Sequence, residues 1–157
     1  MAEKPPPPLR AAGLPARTGT IYPPPYAAAL AGRAKRALGD AFGLTQFGVN
    51  LTVLAPGAAS AERHWHELED EFVYVLEGEV ILVDETGEQR LDAGMCVGFR
   101  AGLPNAHKLL NRSSTPATYL EVGTRSEGDR VHYPEADMAA VKENGKFRVT
   151  RKDGTPY

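Results

Sequence analysis

The stretch GAASAERHWHELEDEFVYVLEG, from Gly57 to Gly78, decides how the rest of the chain is read. His64 and His66 are two residues apart, so on an extended strand both rings project from one face, about 6.6 Å apart along the backbone. Trp65 then points the other way. Glu71 opens the next run, Glu71 to Glu77, whose alternation of Glu71, Val73 and Val75 with Phe72, Tyr74 and Leu76 has the period of two expected of a strand. Two imidazoles and a carboxylate set this close suit a borderline divalent cation such as Zn, Fe, Mn or Ni. The plain alternative is an exposed hairpin, since His and Glu ordinarily sit in water. Ligand number and type favour the metal.

Outward from this stretch the texture is uniformly that of strands. Short β-favouring runs cover Gln46 to Leu54, Ala61 to His66, Val80 to Val83, Glu88 to Leu91, Met95 to Arg100, Ala106 to Asn111, Ala117 to Val122 and Arg130 to Tyr133. Turn pairs such as Pro56-Gly57, Thr86-Gly87 and Ala93-Gly94 separate them, a pattern of antiparallel sandwiches and barrels. The tail from Met138 carries weak signals and adds one edge strand at Phe147 to Thr150. Before the strands, residues 1–25 are proline-rich and poor in large apolar groups, which predicts a largely flexible, extended arm. Tyr26 to Leu38 reads as a short N-terminal helix, rich in alanine and closed by Gly39. The expected division is residues 1–43 as arm and helix, 44–135 as a β-barrel and 136–157 as a C-terminal extension.

Composition limits the function. The chain has 157 residues, enough for one core, and 18 Lys and Arg against 20 Asp and Glu with no basic stripe, so neither nucleic acid nor an anionic membrane is expected as partner. No apolar stretch approaches the roughly 20 residues of a spanning helix, and the first ten residues hold four consecutive prolines where a signal peptide would be apolar. A cytoplasmic location is the expectation. The lone Cys96 lies between Met95 and Val97 and reads as a buried thiol. Phe72, Tyr74 and Leu76 share the face opposite Glu71, so both faces of that strand are apolar and a second copy is expected to cover the outer one as a homodimer.

The second histidine run completes a resemblance. Gly57, His64, His66, Glu71 and Gly78 follow the first motif of the cupin superfamily in order, with six residues instead of five between Gly57 and His64. Gly94, Gly102, His107 and Asn111 follow the second, except that Arg100 stands where the motif has proline and the loop before His107 is longer by two. The chain thus resembles a single-domain bacterial cupin of the sugar-phosphate-isomerase-like group over residues 44–123. The resemblance implies a double-stranded β-helix, an all-β jelly-roll barrel in which His64, His66, Glu71 and His107 hold a divalent metal ion with positions left open for a small-molecule ligand. It implies a metalloenzyme, an isomerase or a dioxygenase, acting on a sugar-phosphate- or keto-acid-like substrate. The alternative is a binding module that captures a small ligand without turnover, because no separate general base stands out in the sequence. Glu67, Glu69 and Asp70 read as a solvated turn, Asn105 and Asn111 as turn and backbone-pairing residues. His132 reads as structural or surface, and Arg63 as part of a solvated face.

Overall fold

The computed structural model describes residues 4–157. Over these residues it is all-β, with three short 3-10 turns, as the strand pattern predicts. Twelve strands form three antiparallel sheets. The five-stranded sheet has the order β1 (Arg33–Ala37), β2 (Phe47–Leu54), β9 (Ala117–Thr124), β4 (Glu71–Glu77), β7 (Cys96–Phe99). Facing it is a three-stranded sheet of β6 (Gly87–Asp92), β5 (Glu79–Asp84) and β8 (Lys108–Leu110). A four-stranded sheet, β12 (Lys146–Thr150), β11 (Ala139–Glu143), β10 (Arg130–His132) and β3 (Trp65–His66), flanks them. The chain therefore forms the expected double-stranded β-helix. Among the described residues, no helix is long and apolar enough to cross a membrane.

Alternation builds the main core. Val73 and Val75 of β4 turn inward and meet Val80 and Leu82 of β5, Leu91 of β6, and Leu109 of β8. Val75 and Val80 have no exposed surface, so each contributes about 1.5–3 kcal/mol of burial. The outward residues Phe72, Tyr74 and Leu76 remain 41%, 38% and 40% exposed. Gly78 closes the β4–β5 turn at φ +73, and a Cβ there would stand 2.8 Å from the Pro116 carbonyl oxygen. Glycine is the residue that tolerates both. A second apolar cluster, Val131, Tyr133, Ala136, Met138 and Ala140, is covered by Tyr22 and Tyr26 of the arm and by Phe147 and Val149 of β12.

Five expectations need correction. The helix over Tyr26 to Leu38 is only a 3-10 turn at Tyr26–Leu30, and Arg33–Ala37 is a strand paired with β2 from Arg33↔Leu54 to Ala37↔Asn50. Gly32 at φ +85 breaks the helix, and the open edge of β2 offers backbone partners that outweigh a modest alanine propensity. The arm is extended but tethered: Arg17 exchanges both backbone hydrogen bonds with Lys35, and Arg36 Nε donates to the Leu14 carbonyl. Residues 1–3 lie outside the described part. Cys96 is exposed, because its pairing with Tyr74 puts it on the outer face of the five-stranded sheet. Arg63 is mostly buried, clamped by Glu85 at 2.6 Å, Glu135 at 2.5 Å and the Ala106 carbonyl. The tail contributes two strands, β11 and β12, where the sequence suggests one, and β12 at the sheet edge contains Phe147 to Thr150.

Candidate metal centre

The two histidine runs meet directly. His64 and His107 form an isolated antiparallel bridge, with backbone bonds of 3.2 and 3.0 Å in the two directions. Their rings are 5.1 Å apart, and those of His64 and His66 are 5.2 Å apart. Glu71, first residue of β4, enters from the adjacent sheet. Its Oε2 lies 2.9 Å from His107 Nε2 and 3.8 Å from His64 Nε2, and its Oε1 lies 3.7 Å from His66 Nε2. Ligand atoms of His64, His66 and Glu71 fall within 4.8 Å of one another. All four side chains named from the sequence are thus brought together.

What orients the rings lies behind them. His64 Nδ1 is 2.8 Å from the Glu62 carbonyl, His107 Nδ1 is 3.0 Å from the Asn105 carbonyl, and His66 Nδ1 is 2.6 Å from Asp129 Oδ2. Each partner is an acceptor, so a neutral ring protonated at Nδ1 turns its Nε2 lone pair inward, the tautomer a metal ligand needs; His107 has an acceptor at Nε2 as well, Glu71 Oε2 at 2.9 Å. Phe99 stacks flat on the His107 ring at 3.4 Å, which holds its plane. Three Nε2 atoms and one carboxylate form a nitrogen-rich donor set that fits a borderline divalent ion and suits Ca or Mg poorly.

Charges follow from this packing. Burial works against an ionised Glu71, but the His107 and His64 contacts outweigh it and hold the carboxyl well below its ordinary value of 4.5. Burial also works against a charged His66, and the bond to Asp129 with the nearby Glu71 carboxylate reverses this, raising the ring above 6.5. Asp129 is fully buried and uses both oxygens, the second accepting the Leu68 N–H at 2.8 Å. Glu69 is not the solvated residue expected: it is 8% exposed, bonds Lys142 Nζ and accepts the Ser126 N–H at 2.8 Å. Sequence reading missed Asp129 and Lys142 because they lie 63 and 76 positions beyond His66, where no spacing rule links them.

The remaining residues sort plainly. Asn111 is buried, donating to the Leu54 and Thr115 carbonyls and accepting from Ser113, the backbone-pairing role expected of it. His132 stacks on Trp65 at 4.3 Å and bonds Glu67 at 2.7 Å, apart from the cluster of donors. The four donors open onto a cavity of about 680 Å³, a size suited to a small metabolite. Its walls carry Arg33 and Lys35 of β1, Arg17 of the arm and Arg125 after β9, cations contributed by separate segments.

Comparison with known proteins agrees with this geometry. Residues 50–123 match the family model described as a cupin domain. A structure of a sugar phosphate isomerase of the cupin superfamily from Silicibacter pomeroyi is 46% identical, with 96% of each chain covered and a TM-score of 0.91. A candidate sugar phosphate isomerase from Acidithiobacillus ferrooxidans is 33% identical over 77% of each chain, with a TM-score of 0.71. The polyketide cyclase RemF from Streptomyces resistomycificus, 19% identical with a TM-score of 0.62, shares the fold alone. None of the curated protein sequences compared with the chain matches it. With its strand order, its two histidine motifs and a near-full-length relative in agreement, the chain belongs to the cupin superfamily.

Proposed function

We propose that His64, His66, Glu71 and His107 bind one divalent metal ion, and that the protein is a small metalloenzyme isomerising an anionic, polar substrate of the sugar-phosphate type. The observation that carries this is the convergence of three imidazole Nε2 atoms on Glu71 at 2.9–3.8 Å, each ring held from behind. A bound ion supplies Lewis acidity at a substrate carbonyl or hydroxyl oxygen. The chain's own residues supply the rest. Arg33, fixed by a 2.6 Å bond to the Ser60 carbonyl, and Arg125, 3.0 Å from Asp40, place positive charge along the cavity wall. Such charge draws an anionic group toward the site. The Silicibacter pomeroyi relative is described as a sugar phosphate isomerase, and its 46% identity supports the same substrate class here.

Elemental analysis of protein purified without chelator tests the first half, with about one ion per chain expected. Incubation of the loaded protein with a panel of aldose and ketose phosphates tests the second, with a change of isomer expected for at least one. Tight binding without conversion would leave a binding module in place of an enzyme. The homodimer belongs to the same proposal. Register lines up Phe72 with Val122 and Val49, and Tyr74 with Leu120 and Leu51, an apolar outer face that a second copy would cover.

A further inference from the structure

The inner wall of the five-stranded sheet carries an ion pair that the four metal donors do not use. Register sets Glu121 opposite both Asn50 and Val73, so it points into the barrel with Val73. Glu71 is opposite Gly123, which makes Glu121 its diagonal neighbour, about 7–8 Å away at the backbone. Gly123 puts no side chain beside Glu71, a Cβ there standing 3.3 Å from the Asp70 carbonyl oxygen and 4.0 Å from Glu71 Cγ, and over its partner Gly48 lies the Arg125 guanidinium, 2.9 Å from where a Cβ would stand. A ligand lying beside Gly123, with the Arg125 cation at its edge, spans from the donors to Glu121. Lys35 Nζ at 2.5 Å and Asn50 Nδ2 at 3.1 Å both donate to Glu121 Oε1, and Oε2 accepts no bond among the described residues. Both Lys35 and Glu121 line the cavity.

Stability does not explain this arrangement, because a partly desolvated ion pair is no better than the apolar side chains that fill the wall next to it. A carboxylate held in one orientation with one oxygen free, close to an electrophilic centre, is what proton transfer at carbon requires. Tyr119 lines the same cavity two residues before Glu121, and its buried hydroxyl pairs with that of Thr52 opposite it.

We propose that Glu121 is the base that moves the proton in the isomerisation of an α-hydroxy aldehyde or ketone, with Lys35 and Asn50 as its positioning residues; this rests on the metalloenzyme reading above. Glu121 Oε2 takes the proton from the carbon next to the carbonyl. The C–H electron pair becomes the new C=C bond and the carbonyl π pair moves onto its oxygen. Return of that proton to the former carbonyl carbon, with the hydroxyl proton passing from one oxygen to the other, completes the shift without an oxidant or co-reactant.

The test is proton exchange. Metal-loaded wild type, Glu121→Gln and Glu121→Asp are incubated in D2O with dihydroxyacetone phosphate and with D-fructose 6-phosphate, and deuterium at the carbon next to the carbonyl is followed by NMR. Metal content, the melting curve and calorimetric affinity for the probes are measured on each variant. Wild type exchanges; Glu121→Gln slows exchange about 100-fold or more with metal content unchanged and affinity within about threefold, and Glu121→Asp falls between. Exchange by Glu121→Gln at the wild-type rate overturns the role of Glu121 and leaves the proposed function standing. Loss of metal or of probe affinity in parallel with exchange overturns it as well, in favour of a structural role. Absence of exchange by metal-loaded wild type removes the isomerase reading and Glu121 with it, and absence of metal in wild type removes the centre itself.

Discussion

Replacing Asp129 by asparagine should weaken metal binding although the side chain touches no ion. Asp129 accepts two hydrogen bonds in a fully buried position, 2.6 Å from His66 Nδ1 and 2.8 Å from the Leu68 N–H. The amide has the same shape but only one acceptor atom, so one of those donors must face an NH2 group. If His66 loses its partner, the ring no longer prefers the Nδ1–H tautomer and Nε2 is free to take the proton. A hydrogen bond to a charged group contributes about 1.5–3 kcal/mol, which corresponds to the 10- to 100-fold loss typical of such outer residues. The assay is competitive Zn titration against a chromogenic chelator at pH 7.5, with long-range 15N–1H spectra of the metal-free protein to locate the His66 proton. The expected result is an affinity lower by that factor and a ring proton shared between both nitrogens. A folded variant with wild-type affinity would refute the reasoning, and unchanged affinity with a lower melting temperature would make Asp129 a residue of the fold alone.

His66→Ala should lose most bound ion while circular dichroism still reports a folded barrel; full occupancy by elemental analysis would refute the ligand assignment. The pH dependence has a defined sign. Glu71, depressed in the fold, stabilises the metal-free protein above 4.5 and ceases to do so as pH falls through its folded value. His66, raised in the fold, stabilises it below 6.5, and this is lost as pH rises through the folded value. Melting of the metal-free protein should therefore peak between these limits and shift upward in pH when Zn is added, since the ion binds only unprotonated rings. A peak unmoved by Zn would count against the centre. Tyr74→Glu puts a charge in the middle of the outer apolar face and should convert a dimer to monomer in light scattering; a wild type that is monomeric at micromolar concentration contradicts the dimer outright.

Much of the fold was legible because its signals are local. Period-two alternation at Val73 and Val75 depends on strand geometry alone, and turn glycines such as Gly78 occupy positions that other residues resist. The histidine pair was legible for the same reason, two residues apart on one strand face. Arg33–Ala37 was misread because its own propensity is weak and only the open edge of β2, 13 to 21 positions away along the chain, makes it a strand. Glu69 looked solvated because nothing near it in sequence resembles Lys142.

The chain by itself determined the kind of molecule: short alternating strands, one barrel's worth of apolar residues, and four side chains of the type that bind a borderline cation. Tertiary structure decided everything that depends on distant pairs. It joined His64 to His107 by a backbone bridge, set Asp129 behind His66, and turned Glu121 and Lys35 toward a shared cavity. The physical reason is that a side chain's direction is a local property of its strand, whereas its neighbours across a sheet are chosen by register, and register is settled only when the core is packed.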